Sequence, residues 1–257
     1  MSDVYMREAA PIRAEVWAKI DDMVVQVVKK NLVGRRFVDL VGPLGWGVEM
    51  APVSGFGKQG GAAVIAEKAT YKPLVELGAE FMLRAKQMAQ AANTPFGLDL
   101  GAVAWAAADL AKAEDELILS GLMAKAASAP LGNWDEEGGA FKAIAAATAQ
   151  LRSSGYDGPY VAVLSPGMYA RLAAQVRQGR REIEMVEKVL RGELYQSPVM
   201  PEDQVLVASP HAWNFDLVVG QDVITAYLGN EGLDQRFRIF ETLVLRIKLP
   251  GSVCVLK

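Results

Sequence analysis

A chain of 257 residues, 51% hydrophobic and 22% charged, holds enough apolar material for one large domain or two small ones. Its formal charge of -3 argues against a nucleic-acid footprint, which is normally basic. One cysteine, Cys254, and one histidine, His211, exclude an intrachain disulfide and a His/Cys metal cluster. The cysteine usage fits a reducing cytoplasm. No apolar run approaches the ~20 residues needed to span a bilayer, and the charged start MSDVYMREAAPIRAEVW does not read as a secretory signal.

In chain order, residues 14–33 predict an amphipathic helix, with Trp17, Ile20, Val24, Val27 and Val28 at helical spacing. Lys29 and Lys30 suit its last turn, and Gly34 is read as the C′ residue that ends it. The glycine- and arginine-rich stretch that follows, GRRFVDLVGPLGWG, therefore sits after a helix C-terminus, where carbonyls point outward. A phosphate-cradling loop needs the opposite end of a helix, so a strand closed by a turn is the better reading. Residues 48–77 predict a long hairpin with glycines 55, 57, 60 and 61 at its tip and no core of its own. Residues 99–125 predict the best helix of the chain, with Asp99 as its N-cap.

A second region begins near Trp134, with Phe141, Ile144, Thr148 and Leu151 as a helical stripe. GPYVAVLSPGMYARLAAQV then gives a buried strand, a turn and a helix started by Ser165 and Pro166. The basic loop VRQGRRE, residues 176–182, leads into the helix EIEMVEKVLRG. The strands QVLVAS and FDLVVGQDVITAYL follow. The chain closes on a half-buried strand with Phe237, Ile239, Leu243, Leu245 and Ile247 at period two on one face.

The catalytic inventory is thin. Glu114, Asp115 and Glu116 are consecutive, so they fan around the helix and read as a solvated or interface face. His211 reads as a surface histidine and Cys254 as a buried inert thiol. The five tryptophans read as packing anchors in cores or subunit contacts.

Several segments resemble the encapsulins, shell proteins with the fold of tailed-phage major capsid proteins: APIRAEVWAKIDD, LVGRRFVDLVGPLGWG, EDELILSG, GPYVAVLSP, LVVGQDVITAYL and FETLVLRIKLPGSVCVL. They span almost the whole chain in the family's order. The resemblance implies an α+β fold and four parts: an N-terminal helix and inner-wall segment at 1–47, an extended loop at 48–77, a peripheral domain with a spine helix at 78–133 and 226–257, and an axial domain at 134–225. It implies a non-enzymatic icosahedral shell of roughly sixty copies or a multiple of that number, located in the cytoplasm. The shell would enclose a ferritin-like protein or a dye-decolourising peroxidase, for iron storage or oxidative-stress defence. Cargo would dock through a C-terminal peptide on Val24, Val28, Leu32, Arg35 and Asp39, with Ile224 and Ile247 opposite. The residues by themselves equally allow Val24 and Val28 as core and Arg35 with Asp39 as a local ion pair. Gln178, Gly179, Arg180 and Arg181 would line a pore favouring anions. No metal or cofactor is expected; a tryptophan that binds flavin in some members is matched here by Lys86. The alternatives are a phage capsid protein and, from a different class, a small carboxylate-dependent hydrolase.

Overall fold

The computed structural model describes residues 3–59, 63–66, 68–177 and 179–257. Its elements run α1 (Ala14–Asn31), β1 (Asp39–Val41), β2 (Met50–Val53), β3 (Phe56–Gln59), β4 (Ala63–Ala66), β5 (Thr70–Pro73), β6 (Val75–Leu83), α2 (Ala85–Asn93), α3 (Gly101–Lys125) and β7 (Ala127–Ala129). There follow α4 (Gly139–Ser153), β8 (Val161–Leu164), α5 (Pro166–Ala174), β9 (Val176–Arg177), β10 (Arg180–Arg181), α6 (Glu182–Leu190) and β11 (Leu194–Gln196). Last come β12 (Val205–Ala208), β13 (Phe215–Val219), β14 (Ile224–Glu231), β15 (Asp234–Ile247) and β16 (Val253–Leu256).

Two five-stranded sheets carry the fold. In the first, β15 pairs antiparallel with β13, β14 and β6, and β1 adds parallel to β13. In the second the order is β11-β8-β12-β16-β7. Its strands β8, β12 and β16 are buried along their length. Alternation explains why. Val161, Val163, Leu206 and Val253 face a core shared with α3 and β15, while Ala162, Leu164, Val207 and Cys254 face the core under α4, α5 and α6. A third core packs α1 against α3, β6 and β15, with Trp17 edge-on to Phe237 at 5.5 Å.

Strand pairing runs across the domain limits that the resemblance implies. Phe215–Val219, on the axial side of the expected boundary at 225, belongs to the first sheet, whereas Val253–Leu256, expected in the peripheral part, lies inside the second. Limits drawn along the chain follow sequence order; sheet membership follows register, and the two need not agree.

The hairpin at 48–77 is an arm of two successive two-stranded ladders, β2–β5 at its base and β3–β4 further out. The base is fastened by Ala51 against Val218 and Val244. Glycines 60 and 61 lie outside the described residues. The sequence reading missed β6, which shares nine register pairs with β15, and the short helix α2. Ser165 caps α5 as expected, its hydroxyl accepting from the Met168 N–H at 3.1 Å. The N-cap of α3 is Leu100, and Asp99 instead accepts from the Gly101 N–H at 2.8 Å.

Gly34 is not the C′ residue of α1. The helix ends at Asn31 with Leu32 as its cap, and Gly34 opens a 3-10 turn, Gly34–Arg36. A side chain there would have to displace the buried Ile118, because a Cβ would sit 2.6 Å from its Cδ1. Gly42 is required by backbone shape as well: its φ is +133°, and a Cβ would collide with the Val219 carbonyl oxygen. Gly42→Ala is expected to cost about 2–3 kcal/mol, read as a lowered denaturation midpoint; an unchanged midpoint would show that the arm's root re-routes freely.

Candidate functional site

The C-terminal end of α1 presents one apolar row to the core and a second to the outside. Val24 and Val28 follow the buried stripe at 3% and 6% exposure, whereas Val25, one residue along, is 46% exposed. The chain then passes through the 3-10 turn into β1, where Leu40 is 47% exposed. Together with Val223, at the approach to β14, these elements enclose a groove of about 370 Å³ lined by Val25, Val28, Leu32, Leu40 and Val223, with Lys29, Arg35, Arg36 and Asp222 supplying charge.

The groove rests on a buried ionic cluster. Arg35 donates from Nε to Glu114 at 2.7 Å, from one terminal nitrogen to Asp222 at 2.8 Å and from the other to Glu241 at 2.5 Å. Glu114 and Glu241 are fully buried. Beside them Asp115 accepts the backbone N–H groups of Val33 and Gly34 at 2.7–3.0 Å, which holds the turn after α1 against α3. The reading of Glu114 and Asp115 as a solvated face is therefore corrected: only Glu116 of that run is exposed. The α1 turn and β15 bring them partners on the inward side, so burial is satisfied rather than avoided. The local pair of Arg35 with Asp39 does not form; Asp39 is exposed in β1, in register with Asp216.

Burial pushes the Asp115 carboxyl up to about 6, against the pull of the Gly34 and Val33 N–H groups. Burial, reinforced by the charge of Glu114, pushes Glu241 up to about 9 despite Arg35. Raised carboxyls add stability that is complete below their ordinary values, 3.8 and 4.5, and is lost as pH rises toward about 6 and about 9.

Of the residues expected to hold a cargo peptide, the structure brings Val28, Leu32 and Arg35 to the groove. Val24 faces the core. Asp39 and Ile224 are each one residue from a lining residue, Leu40 and Val223. Ile247 is elsewhere: it lies seven residues along β15 from Phe240, the register partner of Ile224, or about 23 Å at ~3.3 Å per residue. There it lines a separate cleft with Val53 and Lys248 at the root of the arm.

Two signals could have found the missed groove and cluster residues. Val25 is an apolar residue one step off the buried stripe, and Glu241 interrupts the apolar period-two row Phe237, Ile239, Leu243, Leu245.

Of the expected pore residues, Arg180 and Arg181 are exposed in β10, which pairs with β9 as a minimal hairpin, and Gly179 turns it with φ +76°. Gln178 lies outside the described residues. Cys254 is buried, and burial raises its thiol pKa. His211 stacks on Trp213 at 4.3 Å. Trp17 and Trp134 are core residues, while Trp46, Trp105 and Trp213 are exposed. Among the described residues no helix is long and apolar enough to cross a membrane, and no cluster of His, Cys, Asp or Glu could hold a metal.

The two sheets, long α3 and projecting arm are the architecture of capsid-forming proteins. The crystal structure of a virus-like particle from Pyrococcus furiosus matches with a TM-score of 0.84 over 95% of this chain and all of that one, at 23% identity. The mature capsid of bacteriophage PhiM1 matches with a TM-score of 0.59 over 88% and 87% of the two chains, at 12% identity. Sequence relatives narrow the class. The type 1 encapsulin shell protein EncA of Myxococcus xanthus (strain DK1622) is 36% identical over 100% of this chain and 97% of its own length. A diheme-cytochrome-encapsulin shell fusion protein of Kuenenia stuttgartiensis is 31% identical over 96% of this chain and 74% of its own. Residues 2–244 match the family model Linocin_M18, encapsulating protein for peroxidase. The chain belongs to this encapsulin family: it is a shell protein that forms capsid-like assemblies, and not an enzyme.

Proposed function

We propose that this protein builds a closed icosahedral shell in the cytoplasm, of roughly sixty copies or a multiple of that number, and that the shell encloses a peroxidase. A ferritin-like guest is the other cargo consistent with a role in iron storage or oxidative-stress defence; the family description favours the peroxidase. The observation that carries the docking half of this reading is the groove beside α1. It is a preformed, apolar-walled channel with Val25 and Leu40 left 46% and 47% exposed, large enough for the side chains of a short extended peptide. A C-terminal segment of the cargo fits it, with apolar anchors between Val25, Leu32 and Leu40 and its polar backbone against Lys29, Arg36 and Asp222. Arg180 and Arg181 form a basic loop tip that would give a pore an anion-favouring field.

Because Arg35 is tied to three carboxylates, its substitution is a poor probe of docking. Val25 and Leu40 are better ones. Val25→Asp and Leu40→Asp are each expected to cut capture of a fluorescent reporter bearing the last residues of the peroxidase by about tenfold or more, through burial of an unpaired charge in the channel. Shells should still form at normal size. Capture at the wild-type level in both variants would remove the groove from cargo loading.

A further inference from the structure

We propose that Glu114 and Glu241 form a carboxyl pair that holds one proton between them and, through it, positions Arg35 and Asp222 in the wall of the groove. The second half of this inference rests on the cargo reading above; the first does not.

The arrangement of the carboxyl oxygens favours such a proton. Each glutamate spends one oxygen on Arg35, Glu114 Oε1 at 2.7 Å and Glu241 Oε2 at 2.5 Å. The other oxygens, Glu114 Oε2 and Glu241 Oε1, are buried and have no donor among the described residues. Both carboxyls converge on the one Arg35 guanidinium, Glu114 at its Nε and Glu241 at a terminal nitrogen. Two buried anionic oxygens without a protein donor are costly, and a single proton shared between them satisfies both.

The surrounding charges do not supply an alternative. The 3-10 turn contributes Arg35 and Arg36, α3 contributes Glu114 and Asp115, the loop before β14 contributes Asp222, and β15 contributes Glu241. The register partner of Glu241 on β6 is the apolar Leu77. Four carboxyls face two guanidiniums, and Arg36 is turned away to donate to the Lys30 carbonyl at 3.1 Å. The high proton affinity of Glu241 described above agrees with this arrangement.

The pair is not a peptide contact. Arg35 and Asp222 line the groove, while Glu114 and Glu241 lie behind them, fully buried. They are positioning residues. With the proton present, the guanidinium is held flat across both glutamates and anchors Asp222, whose carboxylate also accepts the Val223 N–H at 2.9 Å. With the proton lost, two buried anions compete for one cation, and the wall formed by 221–223 loosens.

Glu241→Gln separates this from a purely structural role. The amide oxygen can accept from Arg35 and the amide nitrogen can donate to Glu114, so the variant copies the proton-bearing form at every pH. In assembled wild-type shells at neutral pH, infrared spectroscopy is expected to show a buried protonated-carboxyl band that is missing in Glu241→Gln. Amide exchange at Gln221 and Thr242, which bond each other across the loop at 2.8–2.9 Å, provides the second readout. Between about pH 7 and about pH 9 their protection in wild type should fall, relative to the Gln variant at the same pH, by up to about tenfold per pH unit. Capture of the same peroxidase-tail reporter should weaken in wild type as pH rises through about 9 and stay level in Glu241→Gln. Absence of the neutral-pH band overturns the shared proton. A band accompanied by identical exchange in the two proteins overturns the positioning role. If the reporter fails to bind at any pH while band and exchange behave as expected, the cargo reading falls and the pair stands.

Discussion

Arg35→Ala is expected to lower protomer stability by about 3–5 kcal/mol, the cost of leaving buried carboxyls without their cation. Arg35 is the point where α1's exit, α3, β15 and the loop before β14 meet, so its loss exposes the fully buried Glu114 and Glu241 to each other and frees Asp222. Asp222 is half-exposed and contributes little to this figure; the two buried partners carry it. Chemical denaturation of the dissociated protomer measures the effect. Adding Glu114→Gln and Glu241→Gln to Arg35→Ala should restore much of the loss, because neutral amides remove the uncompensated charge. A single variant within about 1 kcal/mol of wild type would show that the carboxyls are satisfied without Arg35.

Excising residues 54–69 and joining Val53 to Thr70 through Asn-Gly should abolish particles while leaving the protomer folded. Val53 and Thr70 are register partners, so a two-residue turn closes the ladder there. Ala51 and Val53 remain buried, with Ala51 packed on Val218 and Val244. What is removed is the β3–β4 ladder, two strands that pair only with each other among the described residues. Such a ladder is marginal by itself, and Met50 and Tyr71 at the arm's base are left 52% and 64% exposed. Both facts point to neighbouring copies as the arm's support. Size-exclusion chromatography and electron micrographs decide the matter: protomers or small oligomers with an intact circular dichroism spectrum are expected, and particles of normal size would show that the arm is not a subunit clamp.

Much of this architecture is legible before folding is considered. Trp17, Ile20, Val24 and Val28 mark α1 at helical spacing, and all four are buried in the structure. The Ser165-Pro166 start of α5 and the period-two row of β15 are local signals with local causes. The groove was legible only in part. Val28, Leu32 and Arg35, which the resemblance implied, lie close together on the end of α1 and the turn after it; Val223 comes from a loop nearly two hundred positions away. Ile247 lies on β15, the strand that pairs with β14 beside the groove, but seven residues from the register partner of Ile224.

What the sequence determined by itself is most of the long elements and an arm without a core, because amphipathic periods are properties of neighbouring residues; the class of assembly came through resemblance to a family. Only the tertiary structure decided the meaning of the charges. Glu114 and Asp115 look like surface carboxylates along the chain, because charge on a helix is ordinarily solvated, and Glu241 shows only as a break in an apolar row. They are interior residues here because Arg35 and the Val33 and Gly34 amides arrive from a distant turn to meet them, and no local pattern encodes which donor will come within reach of a buried oxygen.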